Sequence, residues 1–325
     1  ARREKLASFE DGNWSFASSI SRDGEPDLDG LSFQLSFDDN RRAIRAGYGK
    51  ATNWYYQPSG FIAPAGPNHA TTSGVNPILQ LAEGGVHLTS GLYFGKNLSL
   101  TSGYASNEKI YGQERYRLAT SDTDALMLSL TANSPSQELV GNITISNIEE
   151  SNGVLGSRLN GVFLQGANNI DTTAITFGGD VSISKRIVLS GSYTLARSNT
   201  GGGTSPMLVL SDRVISDAMA FGLRASNLFV EEDNAYLSIS QPLGVTYGAA
   251  KLAFDSHIDR DKNLHTSVSD INLRPTDREI DLQLGYAQPL GRSSEIKALI
   301  FHAENFDHRS GVDKTGGLIR YELTF

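Results

Sequence analysis

The last nine residues, GLIRYELTF (residues 317–325), alternate without a break. Ile319, Tyr321, Leu323 and Phe325 fall on one parity, and Arg320, Glu322 and Thr324 on the other. Side chains of a β-strand point to opposite faces with period 2, so this stretch reads as a strand with one apolar and one polar face. The same alternation recurs along the chain. It runs through Trp14, Phe16 and Ile20; Leu31, Phe33, Leu35 and Phe37; Ile44, Ala46 and Tyr48; Val86, Leu88, Leu92 and Phe94; and Leu98, Leu100 and Tyr104. It continues through Leu126, Leu128 and Leu130; Leu139, Ile143 and Ile145; Ile175, Phe177, Val181 and Ile183; and Ile187, Leu189, Tyr193 and Leu195. Phe221, Leu223 and Ala225; Leu237 and Ile239; Ile280, Leu282, Leu284 and Tyr286; and a less regular segment from Glu295 to Phe306 complete the set. About fourteen strands are predicted, and no helical periodicity of useful length competes with them.

The links between strands sort into two kinds. Tight ones, such as Gly95-Lys96-Asn97, Ser184-Lys185-Arg186, residues 231–234 and residues 289–292, alternate with long ones near residues 51–83, 107–121, 149–171, 200–216 and 243–277. Short turns at one end and long loops at the other describe an up-and-down transmembrane barrel, whose strands carry apolar residues outward to lipid and polar ones inward. A soluble sandwich or lipocalin-like sheet shares the alternation but not the two-ended asymmetry. On this reading the lumen is lined by Arg45, Asp180, Arg224, Glu279, Asp281, Lys297, Arg320 and Glu322, with Arg320 expected beside one of the neighbouring carboxylates. An open edge in lipid leaves backbone groups unpaired, so the sheet is expected to close.

Composition agrees. Of 325 residues 39% are apolar, with 33 Gly, 12 Tyr, 14 Phe and no Cys. The mean hydropathy of −0.27 suits strands that are apolar on one face only. No run of eighteen apolar residues offers a transmembrane helix. The absence of cysteine excludes disulfides and thiolate metal sites, and the formal charge of −8 argues against a nucleic-acid partner. No secretory leader is evident at Ala1, so the chain reads as a processed piece or a cytosolic protein.

The best constellation for an enzyme is DSHIDRD (residues 255–261), where His257 and Asp259 could pair as base and orienter, joined by His265 and Asp270. Charged loops facing water account for these residues, and for His69, His302 and His308, without catalysis. GYGK (residues 47–50) lacks phosphate-loop spacing, TGGGTSP (residues 200–206) is a flexible tip, and DTDA and EEDN lack the calcium-loop pattern. No catalytic residue, cofactor or metal ligand is expected.

GLIRYELTF, with Gly317, Tyr321, Leu323 and the terminal Phe325, resembles the β-signal by which the outer-membrane barrel assembly machinery of Gram-negative bacteria recognises its substrates. SDAMAFGLRASNLFVEEDNAYLSISQPLGVTYGAAKLAF (residues 216–254) and REIDLQLGYAQPLG (residues 278–291) resemble autotransporter (type V secretion) C-terminal barrels, above all those of subtilisin-like serine protease autotransporters. GSRLNGVF (residues 156–163) and VSISKRIVLSGSYTLARS (residues 181–198) are similar to the same family. The resemblance covers about residues 76–325. It implies an all-β, transmembrane antiparallel up-and-down β-barrel of twelve strands, with fourteen possible by count, in the bacterial outer membrane. It further implies a translocator and anchor for an N-terminal passenger, with any protease activity residing in that passenger. Partners would be outer-membrane lipid and lipopolysaccharide, the assembly machinery, and the passenger or another surface protein. Residues 41–325 are expected to be the translocator, and residues 1–40 an N-terminal segment or an extra hairpin. Ala1–Phe9 is the candidate for the helix that such barrels hold in the lumen. The alternative is a stand-alone porin or surface-scaffold barrel, separated from the first by whether a passenger is encoded in frame ahead of Ala1.

Overall fold

The structure is a computed structural model. It describes residues 2–9, 12–21, 27–37, 42–49, 79–82, 85–95, 97–107, 122–136, 138–151, 153–154, 157–158, 169–200, 208–258, 264–291 and 294–323. Twenty strands are present among them: β1 (Arg2–Phe9), β2 (Gly12–Ser21), β3 (Asp27–Phe37), β4 (Arg42–Gly49), β5 (Val86–Phe94), β6 (Leu98–Ser106), β7 (Asp122–Asn133), β8 (Leu139–Ser151), β9 (Gly153–Val154), β10 (Ser157–Arg158), β11 (Ile170–Ser182), β12 (Ile187–Asn199), β13 (Leu208–Leu210), β14 (Arg213–Ser226), β15 (Asn234–Tyr247), β16 (Ala249–Ile258), β17 (Leu264–Asn272), β18 (Ile280–Pro289), β19 (Ser294–Glu304) and β20 (Lys314–Leu323). Two 3-10 turns, Leu79–Ala82 and Phe306–His308, are the helical elements of the described residues.

Fifteen strands form one sheet in the order β1-β2-β3-β4-β5-β6-β7-β8-β11-β12-β14-β15-β18-β19-β20. Every neighbour is antiparallel, so the chain runs up and down in sequence order. The count exceeds the expected twelve or fourteen. Fourteen of the strands coincide with the alternating segments, and the fifteenth is β1. Of the segment Ala1–Phe9, expected as a lumenal helix, the described residues Arg2–Phe9 instead pair with β2, from Arg2↔Ser19 to Phe9↔Gly12. ARREKLASF carries its charges in one block, which fits neither period cleanly, and the ladder with β2 decides its state.

The sheet is open: β1 and β20 are its edges, and no pairing joins them among the described residues. With an odd number of alternating strands, β1 and β20 run in the same direction.

The short links, 95–97, 134–138, 183–186, 227–233 and 290–293, all lie at one end of the sheet. The first of these hairpins turns on Gly95, at φ 72°, a left-handed conformation open to glycine at little cost. The long links lie at the other end, and three of them hold strands that alternation did not reveal. β13, β16 and β17 form a three-stranded sheet in the order β13-β16-β17, extending the β14–β15 hairpin beyond the wall. Leu208, Leu210 and Ala250 of this extension pack with Ile170 in a small apolar cluster. β9 and β10 form a two-residue ladder.

The two faces of the wall are inverted relative to a soluble sheet. Leu88, Leu126, Leu128, Ile143, Ile145, Phe177, Phe221, Leu237, Ile239, Leu282, Leu284 and Ile319 are exposed, while Thr89, Ser129, Thr144, Ser146, Thr176, Ser190, Thr194, Ser238 and Gln283 on the opposite parity are buried. The buried hydroxyls satisfy one another across strands: Ser129 with Thr144 at 2.8 Å, Thr172 with Ser198 at 2.7 Å and Thr176 with Thr194 at 2.8 Å. An apolar patch of small residues, Ala105, Ala125, Ala174 and Ala196 with Met127 and Ile148, lies on the same inward face and receives Leu81 and Ala82 from the turn ahead of β5. The carbonyl of Leu81 accepts a 3.0 Å hydrogen bond from Asn107 Nδ2, which fixes that turn to the end of β6.

Close inward packing also explains Gly285. The ring of Tyr236 lies across its Cα, where a Cβ would collide with it. Outward, Leu282 is 45% exposed in the middle of its apolar row. Leu282→Arg is expected to destabilise the folded protein in bilayers by about 2–4 kcal/mol. Denaturant unfolding of wild type and variant in lipid vesicles measures the difference.

Candidate functional site

The wall has three regions with distinct chemistry: the inward face, a polar junction at the long-loop end, and a capped turn at the short-turn end. The ladders carry the expected charges to the inward parity at different heights. Arg45 is half-buried opposite Gln34 and Thr89. Asp180 is buried opposite Val140 and Ser190, and Arg224 is half-buried opposite Val188 and Tyr236. Glu279 is buried just ahead of β18, and Asp281 follows opposite Ser240 and Ala303. Lys297 makes a 2.9 Å ion pair with Glu295 on its own strand. Arg320 stands opposite Lys297, and Glu322 opposite Glu295.

This register separates groups that the sequence could not space. Asp281 pairs with Ala303, which pairs with Lys314. Arg320 therefore lies six residues farther along its strand, about 20 Å away, and does not meet Glu279 or Asp281. Of the expected assembly-signal residues, Tyr321 is exposed on the outward face and Gly317 pairs with Ile300. Leu323 ends β20, and Phe325 lies outside the described residues. His257 pairs in backbone register with His265 on the extension sheet, whereas Asp259 and His69 lie outside the described residues. Among the described residues no group of three or more His, Asp or Glu side chains is placed to hold a metal.

The junction at the long-loop end was not anticipated. β14 is irregular where it meets β15, with register shifts between Ile215 and Ser216 and between Asp217 and Met219. There Arg278 reaches Asp217, its Nη2 lying 2.7 Å from Oδ1 and 2.9 Å from the Asp217 carbonyl. Tyr193 Oη donates to the other carboxylate oxygen at 3.3 Å. The link from β19 to β20 closes over the same place. The backbone N–H of Glu279 donates to His308 Nδ1 at 3.0 Å, His308 Nε2 lies 3.0 Å from the Leu243 carbonyl, and the Asp307 N–H donates to Glu279 Oε2 at 3.0 Å. His308 thus binds as the neutral tautomer carrying its proton on Nε2. Asn305, Asp307 and His308 all adopt positive φ, between 53° and 59°, a strained set held by these contacts. Gly244 permits the convergence, since a Cβ there would sit 2.9 Å from Arg278 Nε and 3.0 Å from His308 Cε1.

The turn between β14 and β15 is built around Asp233. Its carboxylate accepts the N–H groups of Leu228 at 2.7 Å, Phe229 at 2.9 Å and Val230 at 3.1 Å, together with Tyr286 Oη at 2.9 Å. Asn227 and Glu232, both at positive φ, are tied by a 2.6 Å bond from the Glu232 N–H to Asn227 Oδ1. Phe229, 81% exposed, meets the Tyr286 ring edge-on at 6.0 Å. Burial disfavours the Asp233 anion, but the backbone donors of Phe229, Val230 and Leu228 and the Tyr286 hydroxyl outweigh it, holding this carboxyl below the usual carboxylate range.

No family model and no curated protein sequence matches this chain. Solved structures do. An anion-selective porin from Comamonas acidovorans superposes with a TM-score of 0.58 at 11% identity, covering 99% of this chain and 88% of that one. A loop L8 deletion mutant of OmpT, an outer membrane protein of Vibrio cholerae, gives 0.54 at 9% identity, covering 98% and 90%. Outer-membrane expressed OmpT gives 0.54 at 8% identity, covering 98% and 88%. At such identities the likeness concerns the fold. With the inverted faces of the wall, it defines an outer-membrane β-barrel protein, located in the bacterial outer membrane.

The depressed Asp233 pKa has a pH consequence. A carboxyl whose folded pKa lies below its unfolded value, about 3.9, contributes stability at higher pH and loses it as pH falls through the folded value. The wild-type thermal transition, followed by heat-modifiable migration on gels, is expected to fall on acidification below about pH 4. Asp233→Asn is expected to be less stable near neutral pH and to show a shallower acid-side decline.

Proposed function

We propose that the chain is the outer-membrane translocator and anchor of an autotransporter, displaying a passenger attached ahead of Ala1, with residues 41–325 as the translocator and residues 1–40 as an N-terminal hairpin extension. The segments that resemble type V barrels fall on β11, β12, β14, β15, β16, β18 and β20, and one, residues 156–163, takes in β10 outside the wall. Six of these strands, all but β16 and β10, are joined by β19 into an unbroken wall from β11 to β20.

The observation that carries the reading is the direction of β1. It begins at the long-loop end, while β20 finishes at the short-turn end. In outer-membrane barrels the long loops are extracellular and the short turns periplasmic. Polypeptide joined ahead of Arg2 therefore leaves the wall on the cell surface, and the C-terminal strand reaches the periplasm, where Gly317, Tyr321, Leu323 and Phe325 would be read by the assembly machinery. Anchoring needs no catalytic residue. A subtilisin-like activity, if the parent protein has one, belongs to the passenger.

A porin is the second reading, favoured by the width of the wall and its short inward residues. Strands about 4.8 Å apart and tilted about 40° give fifteen strands a cylinder about 30 Å across. Ser, Thr, Gly and Ala side chains cannot fill such a lumen, and barrels of this size leave a water-filled passage.

Two measurements separate the readings. An epitope ahead of Ala1 is expected to be cleaved by protease added to intact cells, whereas one after Phe325 is protected until the outer membrane is opened. Protection of the N-terminal epitope in intact cells overturns the display topology. Large, steady conductance steps from the purified full chain in planar bilayers favour the porin.

A further inference from the structure

Above the apolar band at the long-loop end, two arginines stand on the outward face of adjacent strands. Arg197 on β12 is opposite Thr173 and Ile215, and Arg213 on β14 is opposite Asn199. Both are exposed. The diagonal between them, through the Ile215 pair, is about 7–8 Å between Cα atoms. Arg213 is held with its Cζ 5.7 Å from the centre of the Tyr247 ring, and no ion pair to Arg197 or Arg213 is formed among the described residues.

Beneath them on the same parity come Ile215 and then Leu195 opposite Asp217, whose carboxylate is held by Arg278 and Tyr193; Tyr193 and Met219, the next pair down, are exposed with Leu195 as the top of the lipid-facing band. On the adjacent strand, at the same height, the outward positions turn acidic: Asp171 of β11 is diagonal to Arg197, and Glu149 of β8 and Asp124 of β7 continue the row. Glu149 accepts from Asn169, and Asp124 accepts from Tyr104 Oη at 2.6 Å. The basic pair is thus a local feature with an acidic flank. Guanidinium groups match phosphate oxygens in geometry and charge. At this height, a lipid whose acyl chains lie against Leu195 and Met219 presents its headgroup to Arg197 and Arg213.

We propose that Arg197 and Arg213 form a phosphate-binding site for the outer-leaflet glycolipid, gripping a phosphate of lipid A while its acyl chains lie on the apolar face of β12 and β14. The site rests on the outer-membrane location and on the long-loop end facing outward. It does not depend on whether the barrel carries a passenger or conducts.

The test uses the full chain, folded in detergent and confirmed by heat-modifiable migration, mixed with bisphosphorylated lipid A, with the same lipid A stripped of its phosphates, or with phosphatidylglycerol. Native mass spectrometry reads the bound fraction. Bisphosphorylated lipid A is expected to bind about tenfold or more tightly than the dephosphorylated form. The double variant Arg197→Ala/Arg213→Ala is expected to abolish that difference, and Arg197→Lys/Arg213→Lys to retain part of it. Equal retention of the two lipid A forms, or an unchanged preference in a folded alanine variant, overturns the proposal. So does phosphatidylglycerol binding as tightly as bisphosphorylated lipid A, because the pair then takes any phosphate headgroup.

Discussion

Backbone hydrogen bonding in hydrocarbon is the constraint on which this structure depends. The outward face from β5 to β20 is Leu, Ile, Phe, Val and Tyr, with no water to satisfy a free N–H or carbonyl, each of which costs several kcal/mol when buried alone. Up-and-down pairing of fifteen strands answers that demand along every internal edge. It also dictates the inward face, where cross-strand hydroxyl pairs such as Thr176 with Thr194 satisfy polar groups removed from the lipid side. The demand leaves the edges β1 and β20 as the places where the sheet must still find a partner. Because these two strands run in the same direction, a direct seam between them would be parallel, unlike every other pairing in the wall.

The rims show how the wall is finished where the ladder stops. At the long-loop end, the register of β14 breaks at Asp217, and the freed carbonyl and carboxylate are taken by Arg278 rather than by a strand. His308 and Glu279 then bind the loop entering β20 back onto the end of β15 and the start of β18. At the short-turn end, one carboxylate, Asp233, substitutes for the missing ladder by collecting three consecutive N–H groups. Both devices are polar, tightly bonded and placed at the boundary where water returns. The apolar band between them carries few such features.

The sequence made the wall legible wherever apolar residues hold period 2, because a single-residue slip would turn the whole row to the wrong side. Leu126, Leu128 and Leu130, or Ile280, Leu282 and Leu284, announced both their strands and their outward parity. β1 was not legible, since its charges are blocked together and its strand state comes from pairing with β2. β13, β16 and β17 lay inside segments that read as long loops, because strands packed above the membrane lack the lipid-facing stripe. The inward charges were legible as to parity but not as to height. Register alone sets Arg320 against Lys297 and away from Asp281. The Asp217–Arg278 pair, sixty-one residues apart in the chain, and the Asp233 knot depend on irregular backbone that no periodicity signals.

The inverted wall can be tested residue by residue, because the chain contains no cysteine and single cysteines can be introduced without background. Nitroxide labels at positions 219 to 223 of β14, in the full chain folded into lipid vesicles, report collision rates with oxygen, which concentrates in lipid, and with a water-soluble nickel chelate. The account predicts high oxygen and low nickel accessibility at positions 219, 221 and 223, which hold Met219, Phe221 and Leu223. Oxygen accessibility is predicted to be lower at positions 220 and 222, which hold Ala220 and Gly222. Uniform accessibility along the five positions, or nickel contact at 221, would contradict a lipid-facing wall.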